Sequence, residues 1–327
     1  MVKKIIFSGI QPTGNLHIGN YLGAVKNWVE LQNNGEYQCY FCIVDYHSLT
    51  GDMKAGERHD QIIRTAAELL AAGVDPEKSV FYVQSHVPEH TELAWVFNTV
   101  TPISELERMT QFKDKSERQT KNINAGLFTY PVLQAADILL YHANIVPVGV
   151  DQFQHVELTR DIARWFNKRY GDYFPEAKAL LTEIPKVMSL LEPTKKMSKS
   201  LGAGHVIELA DELTVIEKKL KKAVTASEGG AKAPGVENLL LLLKQFGEEK
   251  VYKQFVQAEK DCSIRYGDLK NEVSNAVGNY FVGFRTRRAE LLIDHNQIAD
   301  ILARGAKRAC EVARSTMEDV RRLVGIR

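Results

Sequence analysis

Two short stretches carry residue types suited to handling phosphate. The first follows an apolar run and reads Gln11-Pro12-Thr13-Gly14-Asn15-Leu16-His17-Ile18-Gly19-Asn20. His17 can donate a hydrogen bond to a phosphate oxygen, and Gly19 removes a Cβ where a flat base or a ribose could approach. A strand meeting a helix start is where open α/β sheets bind ligands, and the helix dipole favours anions there. The spacing is not GxGxxG, which disfavours a dinucleotide site, and it is not a P-loop. Taken alone, His17 and Gly19 could be ordinary helix-start residues. The second stretch is Glu192-Pro193-Thr194-Lys195-Lys196-Met197-Ser198-Lys199-Ser200. Its flexible ammonium groups suit a polyphosphate whose charge moves during reaction. Three lysines by themselves would also make a solvated basic linker. A third residue of interest is Asp137, set among Ala135, Ala136, Ile138, Leu139 and Leu140. A carboxylate in an apolar helix needs a partner. An arginine or a backbone N–H would serve, and so would a substrate donor, since an ionised carboxylate only accepts. Helical spacing brings Gln134, Asp137 and Tyr141 towards one face.

The elements that must position these residues alternate between two periods. Ile5–Gly9, Tyr40–Asp45, Val80–Gln84 and Ile145–Val148 read as strands, apolar on both faces as a covered parallel sheet requires. His17–Gln32, Gln61–Leu70, Pro131–Tyr141 and Asp151–Tyr170 read as helices, with Pro131 suited to a first turn. The alternation predicts an α/β fold, a Rossmann-like doubly wound parallel sheet, followed by an all-α helical domain. After about residue 200 the strands stop. Helices are expected over Glu208–Val224, Val236–Phe246, Glu248–Lys260, Leu269–Ile293 and Asn296–Val324. The expected division is a catalytic domain over 1–194, a loop at 195–200, a helical domain over 201–295, and a C-terminal helix over 296–327 that returns to the body.

Composition bounds the reading. The chain has 327 residues, 44% hydrophobic and 25% charged, in the ordinary range for a globular protein. No apolar run of membrane-spanning length occurs, and Ile5-Ile6-Phe7 is too short for a signal core, so a cytoplasmic protein with no membrane role is expected. Cys39 and Cys42 form a CxxC, but no second pair stands nearby, and QCYFCIVD reads as a buried strand. Core cysteines are preferred over zinc or redox chemistry. Net charge is +1, so any nucleic-acid surface must be local. Basic clusters lie at Lys218, Lys219, Lys221 and Lys222, at Arg285, Arg287 and Arg288, and at Lys307 and Arg308.

Together the His17-Ile18-Gly19-Asn20 and Lys196-Met197-Ser198-Lys199-Ser200 segments resemble the HIGH and KMSKS motifs of class I aminoacyl-tRNA synthetases, with Asn20 replacing the final histidine. The runs Glu105–Lys115, Tyr130–Leu139 and Val146–Gln152 are similar to those of the bacterial tryptophanyl branch, and the resemblance covers nearly the whole chain. It implies activation of L-tryptophan with ATP and Mg²⁺ to an adenylate plus pyrophosphate, transfer to tRNA(Trp), a homodimer, and anticodon recognition by the helical module. DNA is not an expected partner. His17, Asn20, Lys115, Lys196 and Lys199 would be catalytic. Gln11, Pro12, Thr13, Gly19, Gly149, Val150, Asp151, Val187, Met197, Ser198 and Ser200 would border ATP, with Val150 standing where relatives usually carry a glutamate. Phe7, Gly9, His47, Tyr130, Gln134, Asp137, Val146, Val148 and Gln152 would line the tryptophan pocket, Asp137 accepting from the indole N–H. No protein metal site is implied, because Mg²⁺ arrives on ATP. A tyrosyl enzyme and a non-catalytic RNA-binding paralogue are the competing readings.

Overall fold

The computed structural model describes residues 3–51, 53–110, 123–149, 152–181, 186–225 and 233–327. Lys115, Val150 and Asp151 lie outside the described residues.

Strands β1 (Lys4–Ile10), β2 (Tyr37–Ile43), β3 (Ser79–Val83), β4 (Ile145–Val148) and β5 (Lys178–Leu181) form one five-stranded parallel sheet in the order β3-β2-β1-β4-β5. β2 and β3 are buried almost throughout because helices cover both faces, which is why they read as continuous apolar runs. The strand order reverses between β1 and β4, so the crevice beyond their carboxyl ends is the switch point of the fold. Strand β5 was not expected. It is a four-residue edge strand with no buried position, so neither a run nor an alternation marks it.

The helices of the α/β part are α1 (Lys26–Asn33), α2 (Asp45–Ser48), α3 (Ala55–Ala71), α4 (Glu89–Asn98), α5 (Ile103–Glu107), α6 (Ala125–Leu139) and α7 (Phe153–Tyr170). Asn124 opens α6 by accepting from the Leu127 N–H. Pro131 therefore sits inside this helix rather than in its first turn, and the turn around it lacks one backbone donor. The all-α part has α8 (Leu213–Lys222), α9 (Pro234–Phe246), α10 (Glu249–Lys260), α11 (Tyr266–Tyr280) and α12 (Val282–Ile293). The expected helix over Leu269–Ile293 is thus divided at Phe281. Helix α13 (His295–Val324) is 30 residues long, capped by Asp294 and closed by Gly325 in the left-handed conformation.

Two compact units result, and neither is a continuous piece of chain. One comprises residues 1–14, 27–183 and 294–327, and the other 15–26 and 184–293. The sequence suggests a catalytic part ending near 194 and a last helix, from 296, returning to it, with residues 15–26 in the catalytic part. Instead Asn15–Lys26 joins the helical unit, because Leu16–Ile18 pairs with Ile207–Leu209. Ile18 N–H donates to Ile207 O at 3.0 Å and Leu209 N–H to Leu16 O at 2.9 Å. In the sheet-bearing unit, α13 lies along β3. The approach is close enough that a Cβ on Gly305 would stand 1.8 Å from the Phe81 carbonyl oxygen. Arg308 donates to Pro76 O and Ser79 O, and Thr316 to Leu140 O.

Candidate active site

In the sheet-bearing unit, the residues expected around the amino acid are distributed over β1, β4, α2 and α6, and of these His47 reaches Asp137. Phe7 and Gly9 lie on β1, Val146 and Val148 on β4, Tyr130, Gln134 and Asp137 on α6, and His47 on α2. Gly9 is required by packing, since a Cβ there would meet Val44 Cγ1 at 2.8 Å. Gln152 precedes α7 and its N–H donates to Gly149 O. Tyr130 is buried with its hydroxyl 2.9 Å from His155 Nε2. Gln11, Pro12 and Thr13 form the turn leaving β1, with the Thr13 N–H bonded to Gln11 O.

Asp137 is 1% exposed, and among the described residues its partners are side chains, neither an arginine nor a backbone N–H. Gln84 Nε2 donates to Oδ1 at 2.6 Å, His90 Nδ1 meets Oδ1 at 2.7 Å, and His47 Nε2 meets Oδ2 at 2.8 Å. Burial pushes this carboxyl's pKa upward, but the hydrogen bonds and charges of His47 and His90 outweigh it and hold the group below the usual carboxylate range. Asp137 is an ionised acceptor. Gln84 and His90 were not anticipated: they come from the end of β3 and from α4, and no motif marks either one.

In the helical unit, His17 is 7% exposed and its Nδ1 has no hydrogen-bond partner among the described residues. Burial, then Lys199 and Lys196 in turn, lower its pKa to about 4. His17 is therefore a neutral imidazole beside two ammonium groups. Gly19 also makes room for that ring: a Cβ would stand 2.9 Å from the His17 imidazole. Asn20 Oδ1 accepts from the His17 N–H, so part of this side chain caps its own turn. The expected long helix is also modified. Ile18–Asn20 makes a single α turn and Tyr21–Val25 continues as a π-helix. The Ile18 N–H donates to Ile207 O, so that one donor of the helix start is already engaged.

The Lys195–Ser200 loop is anchored to the same unit. Met197 is buried, and its N–H donates to Val187 O at 3.0 Å. Lys195 is tied to Glu192 at 2.5 Å, and Ser198 and Ser200 share a hydrogen bond. Lys196 is exposed and Lys199 half-buried. An aromatic cluster steadies the His17 segment: the Tyr21 hydroxyl bonds that of Tyr280 at 2.9 Å, and its ring meets Phe246 and Phe281.

The family model of the tRNA synthetases class I (W and Y) matches residues 2–282. The chain belongs to that family. It is 43% identical to the tryptophan–tRNA ligase of Clostridium tetani over 330 residues, covering 99% of this chain and 96% of that one. The tryptophanyl-tRNA synthetase of Campylobacter jejuni, solved with ADP and tryptophan, is 34% identical with a TM-score of 0.86, over 98% of this chain and 99% of that one. That of Mycoplasma pneumoniae is 35% identical with a TM-score of 0.87, over 99% and 98%.

Other features of this class I synthetase fall outside these two clusters. A cavity of about 400 Å³ opens between α2, α4 and α6, lined by His47, Tyr130, Leu49, Trp95 and neighbours. Of the residues expected around tryptophan, it includes His47 and Tyr130 and not Asp137. Cys39 and Cys42 are buried free thiols, and burial pushes Cys39 up to about 11. Arg285 is anchored rather than presented, bonding Gly278 O at 2.6 Å and Asp211 O at 3.4 Å. No described helix is long and apolar enough to cross a membrane.

Proposed function

We propose that this synthetase is a cytoplasmic tryptophan–tRNA ligase. It activates L-tryptophan with ATP and transfers it to the 3′ end of tRNA(Trp). The observation that carries the choice of amino acid is the Tyr130–Leu139 run around Asp137, which is similar to that of the tryptophanyl branch; Asp137 itself is a buried acceptor that suits an indole N–H and would equally accept from a phenol hydroxyl. The likeness to the ligase of Clostridium tetani supports the same choice.

The amino-acid carboxylate is already a nucleophile at neutral pH, so activation needs no general base. It attacks the α-phosphorus in line, the bond to the bridging oxygen breaks, and pyrophosphate leaves. A terminal ribose hydroxyl of the tRNA then attacks the adenylate carbonyl and releases AMP. Catalysis is positioning and charge stabilisation. His17, neutral, offers a hydrogen bond to phosphate without adding a cation beside Lys196 and Lys199. Lys196 and Lys199, with Lys115, counter the charge that grows on pyrophosphate. Asn20 contributes to phosphate through the part of its amide not used in capping. Gln11, Thr13, Gly149, Val187, Met197 and the Ser198–Ser200 hydroxyls border the nucleotide. Phe7, Gly9, His47, Tyr130, Gln134, Val146, Val148 and Gln152 enclose the side chain of the amino acid. The donor set around His17 is imidazole and ammonium, which suits phosphate oxygens and not a bare cation. Mg²⁺, carried on ATP, supplies neutralisation of the phosphate charge.

The enzyme acts as a homodimer, for which the exposed Leu49 and Trp95, which line one cavity, provide apolar surface. The helical unit serves tRNA. Amino-acid-dependent pyrophosphate exchange tests the reading: tryptophan supports exchange, and exchange driven by tyrosine, or by no amino acid, overturns it.

A further inference from the structure

Asp137 is the centre of a buried chain of hydrogen bonds that continues well beyond the groups able to touch an amino acid. Its Oδ1 already holds two donors, Gln84 Nε2 and His90 Nδ1, while among the described residues Oδ2 holds only His47 Nε2. A carboxylate oxygen offers about two lone-pair directions. Oδ1 is therefore spent, and one direction remains on Oδ2.

We infer that His90, fixed from behind by Tyr141 and Tyr82, and aided by Gln84, is the positioning residue that turns Asp137 so that a single Oδ2 direction faces the substrate N–H. The inference rests on the assignment of Asp137 to tryptophan. An ionised carboxylate only accepts, so His90 donates from Nδ1 to Oδ1, and Nε2 on the far side of its ring meets two tyrosine hydroxyls. The Tyr141 hydroxyl lies 2.8 Å from that Nε2 and the Tyr82 hydroxyl 3.3 Å. Without those hydroxyls, a half-turn of the imidazole would put a carbon where Nδ1 stands and free Oδ1. Packing prevents this. Tyr141 stacks on Tyr40 at 4.5 Å and on Phe7 at 6.0 Å, and His90, Gln84, Tyr82 and Tyr141 are all 0% exposed. Gln84 is fixed in turn, its Oε1 accepting from the Tyr46 N–H at 3.1 Å. A loosened Oδ1 would offer further directions and let the carboxylate rotate, so the site would no longer demand one donor at one place.

The test compares L-tryptophan with 3-(3-benzothienyl)alanine, in which sulfur replaces the ring N–H, in pyrophosphate exchange. Wild-type enzyme prefers tryptophan. In His90→Leu the preference in kcat/KM falls about tenfold or more, through KM for the amino acid, with KM for ATP unchanged. His90→Asn keeps a side-chain N–H near the Nδ1 position and retains most of the preference. Tyr141→Phe keeps the ring stack and lowers the preference by roughly two- to fivefold, which preserves the test should His90→Leu not fold. The inference is overturned when folded His90→Leu or Tyr141→Phe keeps the full preference. It is equally overturned when both amino acids lose kcat/KM in the same proportion, the mark of a purely structural role. Asp137→Ala separates the two assignments. A wild-type preference there removes the tryptophan assignment and the inference together. A preference lost there and kept in the His90 and Tyr141 variants removes the inference alone.

Discussion

A histidine held neutral beside two lysines makes a definite statement about pH. The folded pKa of His17 is about 4 against an ordinary 6.5. Between these values the folded chain binds fewer protons than the unfolded one. The stability linked to this group is thus fully present above about 6.5 and is lost as pH falls towards 4. kcat/KM for ATP in pyrophosphate exchange is accordingly expected to show no inflection near 6.5 on titration down to about pH 5. An inflection there would mean an imidazolium acts on the phosphates. Lys196→Ala is expected to lower kcat for adenylate formation by about ten- to a hundredfold while changing tryptophan Kd little, because pyrophosphate charge grows only in the transition state. Equal losses in single-turnover rate and Kd would point to a folding defect. At this scale the sequence exposed His17, Lys196, Lys199 and Asp137 because each stands in a recognisable run. It hid Gln84 and His90, whose bonds to Asp137 span 53 and 47 positions and whose local surroundings resemble any helix start.

Among the elements, α13 depends on one residue without a side chain. An added Cβ at Gly305 collides with backbone of β3, which cannot rotate away, so Gly305→Ala is expected to destabilise by roughly 3 kcal/mol or more despite the better helix propensity of alanine. Equilibrium denaturation measures this, and a stabilised variant would show that the helix does not approach β3 as described. Helix α8 carries Lys218, Lys221 and Lys222 exposed, whereas Lys219 is paired with Asp211 at 2.6 Å. Replacing the three exposed lysines by alanine is expected to weaken tRNA charging several-fold, to flatten its salt dependence by about 0.7–0.9 log unit per lost phosphate contact, and to spare pyrophosphate exchange. Unchanged charging would leave these lysines as a solvated face. Arg285 no longer belongs in that experiment, since its bonds to Gly278 and Asp211 make its loss a folding defect. Helix α4 escaped the sequence reading because its period is masked: Leu93, Ala94, Val96 and Phe97 are buried, yet Trp95 between them is 72% exposed. The sheet was legible because β1 to β4 are apolar on both faces.

At the scale of the whole molecule, Trp95 poses the next question, since a large aromatic ring left open on α4 beside Leu49 wants cover. Trp95→Ser is expected to raise the dimer dissociation constant by about a hundredfold in sedimentation equilibrium without lowering thermal stability of the monomer. An unchanged constant would remove this face from the interface. The helical content after residue 200 was legible from periodicity, but the membership of Asn15–Lys26 in the helical unit was not, because the pairing of Leu16–Ile18 with Ile207–Leu209 joins positions almost two hundred residues apart and leaves no local trace. That pairing has a consequence for biosynthesis. The His17 segment is synthesised well before 184–293, the stretch it must join. At about 5–20 residues per second, the Asn15–Lys26 stretch waits on the order of tens of seconds for its partners, flanked on both sides by chain that belongs to the sheet. Ile18, Tyr21, Leu22 and Val25, all buried in the finished protein, are apolar surface held open during that interval. A nascent chain stalled before residue 184 would present them to whatever chaperone attends the exit tunnel, and the same chain released after 293 would not.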